Sequence, residues 1–565
     1  MDSQSSLFGE AVAAVPARKT KTAAAKKAPA SKKTAAKSST RKATHKTKAH
    51  ELAASAREIS VSEFFAKNRH LLGFDSKRKA LLTTVKEAVD NALDACEEAG
   101  ILPDITVRID PIKNKEETFR VTVGDNGPGI LEEQIELVFA KLLYGSKFHR
   151  LRQSRGQQGI GISAAGMYGQ MTTGAPVTIT SRIGKKHPAV RVKVRIDTTK
   201  NAPVRVRRDE LEEWPLDHGT EVSIDLVAKH QKGRGSVDEY LAQVAVSNPH
   251  VTIVFWGPGE KKPVLYDRAT RKQPVHAKEI KPHPYGVELG TLMKMMKSTK
   301  SSRLAAFLQA DFSRVSKKVA DEICAVAKIE PNARVKSLEH KSAEAVHKAI
   351  PKVKIMSPPT DCLSPIGEKL IQAGLQKEIG EAEFFVSRTR SPAVYRGNPF
   401  QIEVGVALGG DLNADSPARL MRFANRVPLQ HQPGACAITK AVTQVDWKGY
   451  GLQQPRGALP VGPVIFMVHI ASAWVPFTSE SKEAVASYPE ILKELKLALQ
   501  ECGRHMQRFL RKRRRVADEL KKRGYIEKYI PHIGQALRDI LELDDKQTDK
   551  IVLELRETLE RSRKM

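Results

Sequence analysis

A chain of 565 residues with 41% hydrophobic content has enough apolar mass for several cores, and at ordinary domain sizes it divides into roughly three or four. Its formal net charge of +30 fits either a polyanionic partner, bound through phosphate contacts and released counterions, or a merely solvating basic surface. No apolar run is long enough to span a membrane, and the five cysteines (Cys96, Cys324, Cys362, Cys436, Cys502) include no CxxC pair, which argues against a zinc site or a disulfide framework and for a reducing, cytoplasmic compartment.

Residues 1–57 are low-complexity, with runs such as TAAAKKAPASKKTAAK, and the first fifty residues hold twelve basic side chains against Asp2 and Glu10. Such a segment cannot bury enough apolar surface to offset its chain entropy, so disorder is expected. It resembles the lysine-alanine tails of linker histones and would tether the chain loosely to nucleic acid. No apolar h-region marks a secretory signal.

From 58 to 282 the pattern is that of one α/β domain. VSEFFAKNRHLLGF (Val61 to Phe74) carries aromatics suited either to a strap exchanged with a second copy or to a local hydrophobic staple. EAVDN follows in an apolar-periodic segment, so Glu87 and Asn91, four apart, share a helix face. There a carboxylate can act on an attacking water while an amide oxygen ligates Mg²⁺ bound to phosphates. ITVRID, FRVTVGD, VTITSRI, AVRVKVRID and TEVSIDL alternate as half-buried strands. In GDNGPGI, Asp125 ends a strand and can accept a hydrogen bond from an exocyclic amine, with Gly127 and Gly129 letting the backbone turn close to a base. LLYGSKFHRLRQSRGQQG reads as a mobile lid with Ser146 and Lys147 at its root. The stretch Gly156, Gln157, Gln158, Gly159, Ile160, Gly161, Ile162 and Ser163 then opens a small-residue helix, whose N-terminal amides and dipole suit a triphosphate.

Taken singly, these are a wet helix face, a hairpin turn and a tight turn. Their order and spacing, with HGT at His218 to Thr220, resemble the GHKL ATPases, the family of gyrase, heat-shock chaperones, mismatch-repair ATPases and sensor histidine kinases. The resemblance implies the Bergerat α/β sandwich with ATP and Mg²⁺ bound, and places Thr220 beneath the phosphates.

After HPYG (His283 to Gly286), residues 283–352 turn helical and basic, in SRLAAFLQADF and SKKVADEICAVAKI. Beyond them, SPIGEKLIQAGL, YRGNPFQIEVGVALGG, RFANRVPL (Arg422 to Leu429), VDWKGYG (Val445 to Gly451) and VPFTSESKEAVA (Val475 to Ala486) resemble the B subunits of type IIB DNA topoisomerases, those of topoisomerase VI. That resemblance implies a helix-two-turns-helix domain over 283–352 and a transducer of ribosomal protein S5-like α/β fold over 353–530. It also implies that Lys482 projects into the ATP pocket to contact the γ-phosphate. Leu492, Leu495, Leu499, Cys502, Met506 and Phe509 step three and four apart, and Val516 and Leu520 resume the phase, so one long helix is expected from about Tyr488 to Arg523, roughly 54 Å. After Pro531, residues 531–565 would form one or two short helices.

Nothing in the chain resembles a winged-helix domain with a cleavage tyrosine. The resemblance therefore implies half of an enzyme: an ATP-hydrolysing subunit that dimerises through its ATP domains and joins a DNA-cutting A subunit in an A₂B₂ assembly. That assembly would be nucleoid-associated, and would pass one duplex through a break in another to relax supercoils and decatenate DNA. Trp447 and Lys448, KGRG (Lys232 to Gly235) and the helical insertion are the DNA contacts it implies. The alternatives are another GHKL enzyme, or a DNA-binding protein with a silent ATP fold, which would be expected to have lost Glu87 or Lys482.

Overall fold

The computed structural model describes residues 60–145, 147, 150–156, 159–380 and 382–561, with residues 48 and 52 of the N-terminal tail. The expected disorder of the tail, and Ser146, Gln157 and Gln158, lie outside the described residues.

Two sheets organise the chain. The first has eight strands: β1 (Asp104–Pro111), β2 (Thr118–Asp125), β3 (Val177–Arg182), β4 (Ala189–Asp197), β5 (Ala202–Leu211), β6 (Gly219–Val227), β7 (Thr252–Trp256) and β8 (Val264–Tyr266), in the order β5-β4-β3-β6-β2-β1-β7-β8. All pairs are antiparallel except β1 with β7. Alternation sends Val107, Ile109, Val121, Val123, Ile179, Val192 and Ile224 to one buried face. Helix Lys77–Glu98 precedes β1, and helices Glu132–Ala140, Gly161–Thr173 and Val237–Ser247 lie between strands of this sheet in the chain. The first is capped by Ser76, whose hydroxyl accepts from the Lys79 N–H, and it buries Leu81, Val85, Val89 and Leu93 in the same core. Each such side chain contributes about 1.5–3 kcal/mol. Phe65 is buried and packs on Phe74, which stacks on Tyr168 at 5.1 Å, so these two aromatics pack within their own chain while Phe64 stays exposed.

Residues 283–352 form four helices, Leu289–Ser298, Leu304–Asp311, Lys317–Ala327 and His340–Ala349, around Leu292, Phe307, Leu308, Ile323 and Val346. The only extended pairing among the described residues there is a bridge between Arg303 and Arg334.

The second sheet comprises β9 (Phe384–Thr389), β10 (Ala393–Tyr395), β11 (Asn398–Leu408), β12 (Arg419–Ala424), β13 (Val427–Pro428) and β14 (Val464–Ser472), in the order β10-β11-β14-β12-β13 with β9 also on β11. Every residue of β14 is buried, and its alternation divides them between two cores. Ile465 and Met467 meet Ile371 and Leu375 of helix Glu368–Ile379, whereas Phe466 and Val468 share a core with Leu495, Leu499, Cys502 and Met506 of the long helix.

That helix runs from Pro489 to Leu541, 53 residues or about 80 Å, and contains Pro531. It exceeds the expected span because one missing i→i−4 bond is offset by packing. Ile530 is buried beside the proline, and a second helix, Asp545–Arg561, closes against Gly534 so tightly that a Cβ there would overlap Val552. Val516 and Leu520 keep the apolar phase yet are exposed, as are Tyr525, Ile526 and Tyr529. No helix among the described residues is long and apolar enough to cross a membrane.

Candidate functional site

Between the helices and the first sheet lies a cavity of about 700 Å³. Glu87, Asn91, Asp125, Gly129, Lys147, Gly156, Gly159, Ile160, Gly161, Ile162, Thr220 and Lys482 all line it. The structure thus brings together most of the residues singled out in the sequence, across nearly four hundred positions.

Helix Lys77–Glu98 carries Glu87 and Asn91 on its cavity face. Glu87 reaches the first turn of helix Gly161–Thr173 so closely that a Cβ at Gly161 would overlap its carboxylate. The Asn91 amide oxygen faces the glycine loop, 3.4 Å from where a Cβ at Gly156 would stand. Asp125, at the end of β2, is buried; its Oδ1 accepts the Gly127 N–H at 2.8 Å. Burial lifts its carboxyl to about 6, against the pull of the Gly127 and Thr220 backbone N–H groups. Gly129 has φ +75, and a Cβ there would overlap the Arg182 carbonyl, so only glycine lets this turn close over the strand.

Thr220 pairs directly with Asp125 across β2 and β6 and lines the same cavity as the glycine loop. Two expectations are corrected by the geometry. Ser163 turns away from the cavity: it is buried, and its hydroxyl donates to the Val138 and Lys141 carbonyls. Trp447 is fully buried, packed 4.5 Å from Phe466 with its indole N–H on the Val442 carbonyl, and so is a core residue, leaving exposed Lys448 as the accessible part of that motif. Lys232 of KGRG is exposed but held 2.6 Å from Glu260.

Lys482 enters from the second sheet on a loop closed by a bridge between Phe477 and Val485. Its backbone is left-handed, φ +52, a conformation that costs a non-glycine residue about 1–3 kcal/mol and persists only when over-determined by its surroundings. Those surroundings are ionic. Glu483 pairs with Lys79 at 3.3 Å, and the Lys86 ammonium donates to the Ser481 carbonyl. The Lys482 Nζ donates to the carbonyl of Arg155, directly before the glycine loop, at 3.2 Å.

Sequence reasoning missed what lies behind that loop. Arg155 is buried, and its guanidinium donates to Asp94 at 2.9 Å, to both oxygens of Glu97 and to Asn248 Oδ1. Although burial opposes their charge, Arg155 helps hold Glu97, and Lys147 with Arg155 hold Asp94, below the usual carboxylate range. Lys147 Nζ lies 2.6 Å from Asp94. Asp90 accepts from the Tyr240 hydroxyl, and burial raises its carboxyl to about 7. The available signal was spacing: Glu87, Asp90, Asn91 and Asp94 step 3, 1 and 3 along one helix face.

Among the described residues no cluster of three acidic, His or Cys side chains is present to hold a metal alone. A single amide oxygen facing a phosphate-type loop fits a hard cation that takes its other ligands from phosphates and water.

The family model described as "Histidine kinase-, DNA gyrase B-, and HSP90-like ATPase" matches residues 76–209, and "Topoisomerase VI B subunit, transducer" matches residues 358–522. The B subunit of type 2 DNA topoisomerase 6 from Methanococcoides burtonii is 50% identical over 503 residues, covering 89% of this chain and 80% of the relative. Those of Methanosarcina barkeri and Archaeoglobus fulgidus are 49% and 46% identical, each over 89% of this chain and over 81% and 82% of theirs. Among solved structures, the B-subunit of the DNA gyrase from Myxococcus xanthus aligns over 78% of this chain and 95% of its own with 11% identity and a TM-score of 0.39, a likeness that carries no part of the assignment. With both family models in chain order and half of the 503 aligned residues identical to such a relative, the chain belongs to the B subunits of type 2 DNA topoisomerase 6.

Proposed function

We propose that the residues around this cavity divide the work of an ATP-driven topoisomerase subunit as follows. Asp125 accepts the exocyclic amine of adenine with Thr220 beside it, and Gly127 and Gly129 shape the turn under the base. The loop from Gly156 to Ile162, with Gln157 and Gln158, cradles the phosphates at the start of helix Gly161–Thr173. Ser146 and Lys147 act at the root of the lid. Asn91 would hold Mg²⁺, which when bound offsets phosphate charge. Glu87 takes the proton from the attacking water, and Lys482 contacts the γ-phosphate. Catalysis in such a site is mainly positioning and charge stabilisation. The observation that carries this reading is the placement of the Glu87 carboxylate against Gly161, where a base stands at the end of the helix that would hold the phosphates.

Asp125→Asn tests the base end. It replaces a pure acceptor with an amide, and a lost hydrogen bond to a charged group costs about 1.5–3 kcal/mol, so ATP affinity in calorimetry should fall at least tenfold. Because burial sets the Asp125 carboxyl at about 6, wild-type affinity should also weaken as pH falls through 6 and the acceptor is protonated, whereas the variant's profile stays flat. Unchanged affinity in the variant would place the adenine site elsewhere.

We further propose that two copies close through their ATP domains around double-stranded DNA, and that the chain works in a heterotetramer with a DNA-cleaving A subunit. The exposed Val516, Leu520, Tyr525, Ile526 and Tyr529 of the long helix support its role in holding that partner. Domain limits of 58–282, 283–352 and 353–530 accompany this reading, with the stalk helix carrying the last limit to Leu541. Lys448, KGRG and the helical insertion are assigned to DNA. Deleting residues 1–57 should weaken nonspecific DNA binding and flatten its salt dependence, while DNA-stimulated ATPase persists. Loss of stimulation with the tail would show that the folded domains do not sense DNA.

A further inference from the structure

RFANRVPL folds into β12 and β13 joined by a two-residue turn, Asn425–Arg426, with Ala424 paired to Val427. Both turn residues are left-handed, φ 48 and 67. Asparagine suits that geometry; arginine does not, so Arg426 is retained there against its backbone preference. Both side chains are buried, and between them they bind two bodies at once.

On the side of the second sheet, Asn425 exchanges hydrogen bonds with the Ser472 backbone at 2.9 and 3.0 Å, and the Arg426 N–H donates to His469 Nε2 at 3.0 Å. His469 is anchored by its other nitrogen on Glu403 at 2.8 Å, in the middle of β11 and β14. On the side of the first sheet, the Asn425 amide also donates to the carbonyl of Ser154 at 3.1 Å, one residue before Arg155. The Arg426 carbonyl accepts from Ser247 at 2.7 Å, and its guanidinium stands 3.5 Å from Glu97, the carboxylate that Arg155 grips with both terminal nitrogens.

The turn therefore reaches the glycine loop from behind by two routes, Asn425 to Ser154 and Arg426 through Glu97 to Arg155. Neither passes through Lys482. We propose that Asn425 and Arg426 are positioning residues for ATP hydrolysis: they tie the backbone of the glycine loop to the core of the transducer, as a second coupling contact independent of Lys482. The proposal rests on the reading that residues 156–162 hold the phosphates. A buried arginine fixed on a strained turn is costly as packing alone, because an apolar side chain would fill the same volume without the desolvation of its charge.

The test uses the full chain with its A subunit and duplex DNA. Asn425→Gly accepts the left-handed turn and deletes only the side-chain bridge; Arg426→Gly removes the guanidinium, and Arg426→Lys keeps its charge. Affinity for a nonhydrolysable ATP analogue should stay within about threefold of wild type in Asn425→Gly and Arg426→Gly, while DNA-stimulated kcat falls about tenfold with KM within about threefold. Arg426→Lys should recover part of the loss. Turnover within twofold of wild type in both glycine variants overturns the proposal, as does a kcat that merely tracks the folded fraction measured by circular dichroism. Hydrogen exchange on wild type separates the two readings. If the analogue leaves the amides of residues 156–162 unprotected, the phosphate-loop assignment fails and the proposal with it; if they are protected and Asn425→Gly and Arg426→Gly turn over normally, the coupling alone is wrong.

Discussion

Glu87→Ala should bind ATP with nearly wild-type affinity and hydrolyse it at least a hundredfold more slowly, the usual scale for removing a positioned general base. The expectation has two physical parts. The proposed cradle would be backbone around Gly156, Gly159 and Gly161, which line the cavity and would keep their N–H groups when the carboxylate is removed. The carboxylate itself lies against Gly161, so its loss removes the proton acceptor from the point where the phosphates would end. Because truncation to alanine also empties space beside Gly161, Glu87→Gln is the companion variant, and both should trap a closed dimer detectable by crosslinking with ATP. Equal turnover by wild type and Glu87→Gln would take Glu87 out of its assigned role.

Lys482→Ala should retain ADP affinity, lose most ATP hydrolysis and fail to support strand passage with the A subunit. Its side chain crosses from one sheet to the other, and its present acceptor is the Arg155 carbonyl, at the edge of the glycine loop. A charge-assisted contact to a phosphate there is worth about 1.5–3 kcal/mol, an order of magnitude or more in rate if it forms only in the transition state. The loop that carries it has anchors of its own: the Lys79–Glu483 pair and the Lys86 bond to Ser481 remain in the variant, so the fold should survive. Small-angle scattering with a nonhydrolysable analogue and with ADP supplies the comparison. Wild type should change shape between the two nucleotides and the variant should not; a full change in the variant would leave Lys482 as a surface lysine.

Local chemistry was legible where one residue does its work through its own position. Glu87, Asn91, Asp125, Gly129, Gly156, Gly159 and Gly161 stand in short motifs, and each reached the cavity, whereas Gly127 supports it from behind through its N–H on Asp125. β1, β2, β3, β4 and β6 announced themselves by alternation; β5 alternates only over Val204 to Arg207 and marks no buried face, because APVRVRRDEL is largely exposed and is held by Arg205 and Arg208 on Glu132 and Glu136. Trp447 misled because an aromatic beside a lysine has the same composition in a core as on a nucleic-acid surface, and only the neighbouring Phe466, further along the chain, decides. Arg155, Glu97 and Arg426 were invisible for the same reason: a buried ion network is a property of three distant segments, none of which is unusual alone. Pro531 signalled a helix end that packing against the following helix overrode.

The long helix is clamped over only part of its length. Leu495 to Met506 lie in the core, whereas most of the residues beyond Leu510 are exposed, leaving about 47 Å of rod between that point and Leu541. A tilt of about 5° at the clamped part displaces the far end by roughly 4 Å, more than the length of a hydrogen bond. Such a rod trades force for travel: whatever torque the nucleotide end supplies would arrive at the tip diminished by the lever ratio, and the packing of helix Asp545–Arg561 on Gly534 keeps the tip rigid despite the N–H missing at Pro531. A partner gripping the far end would therefore feel displacement more than push.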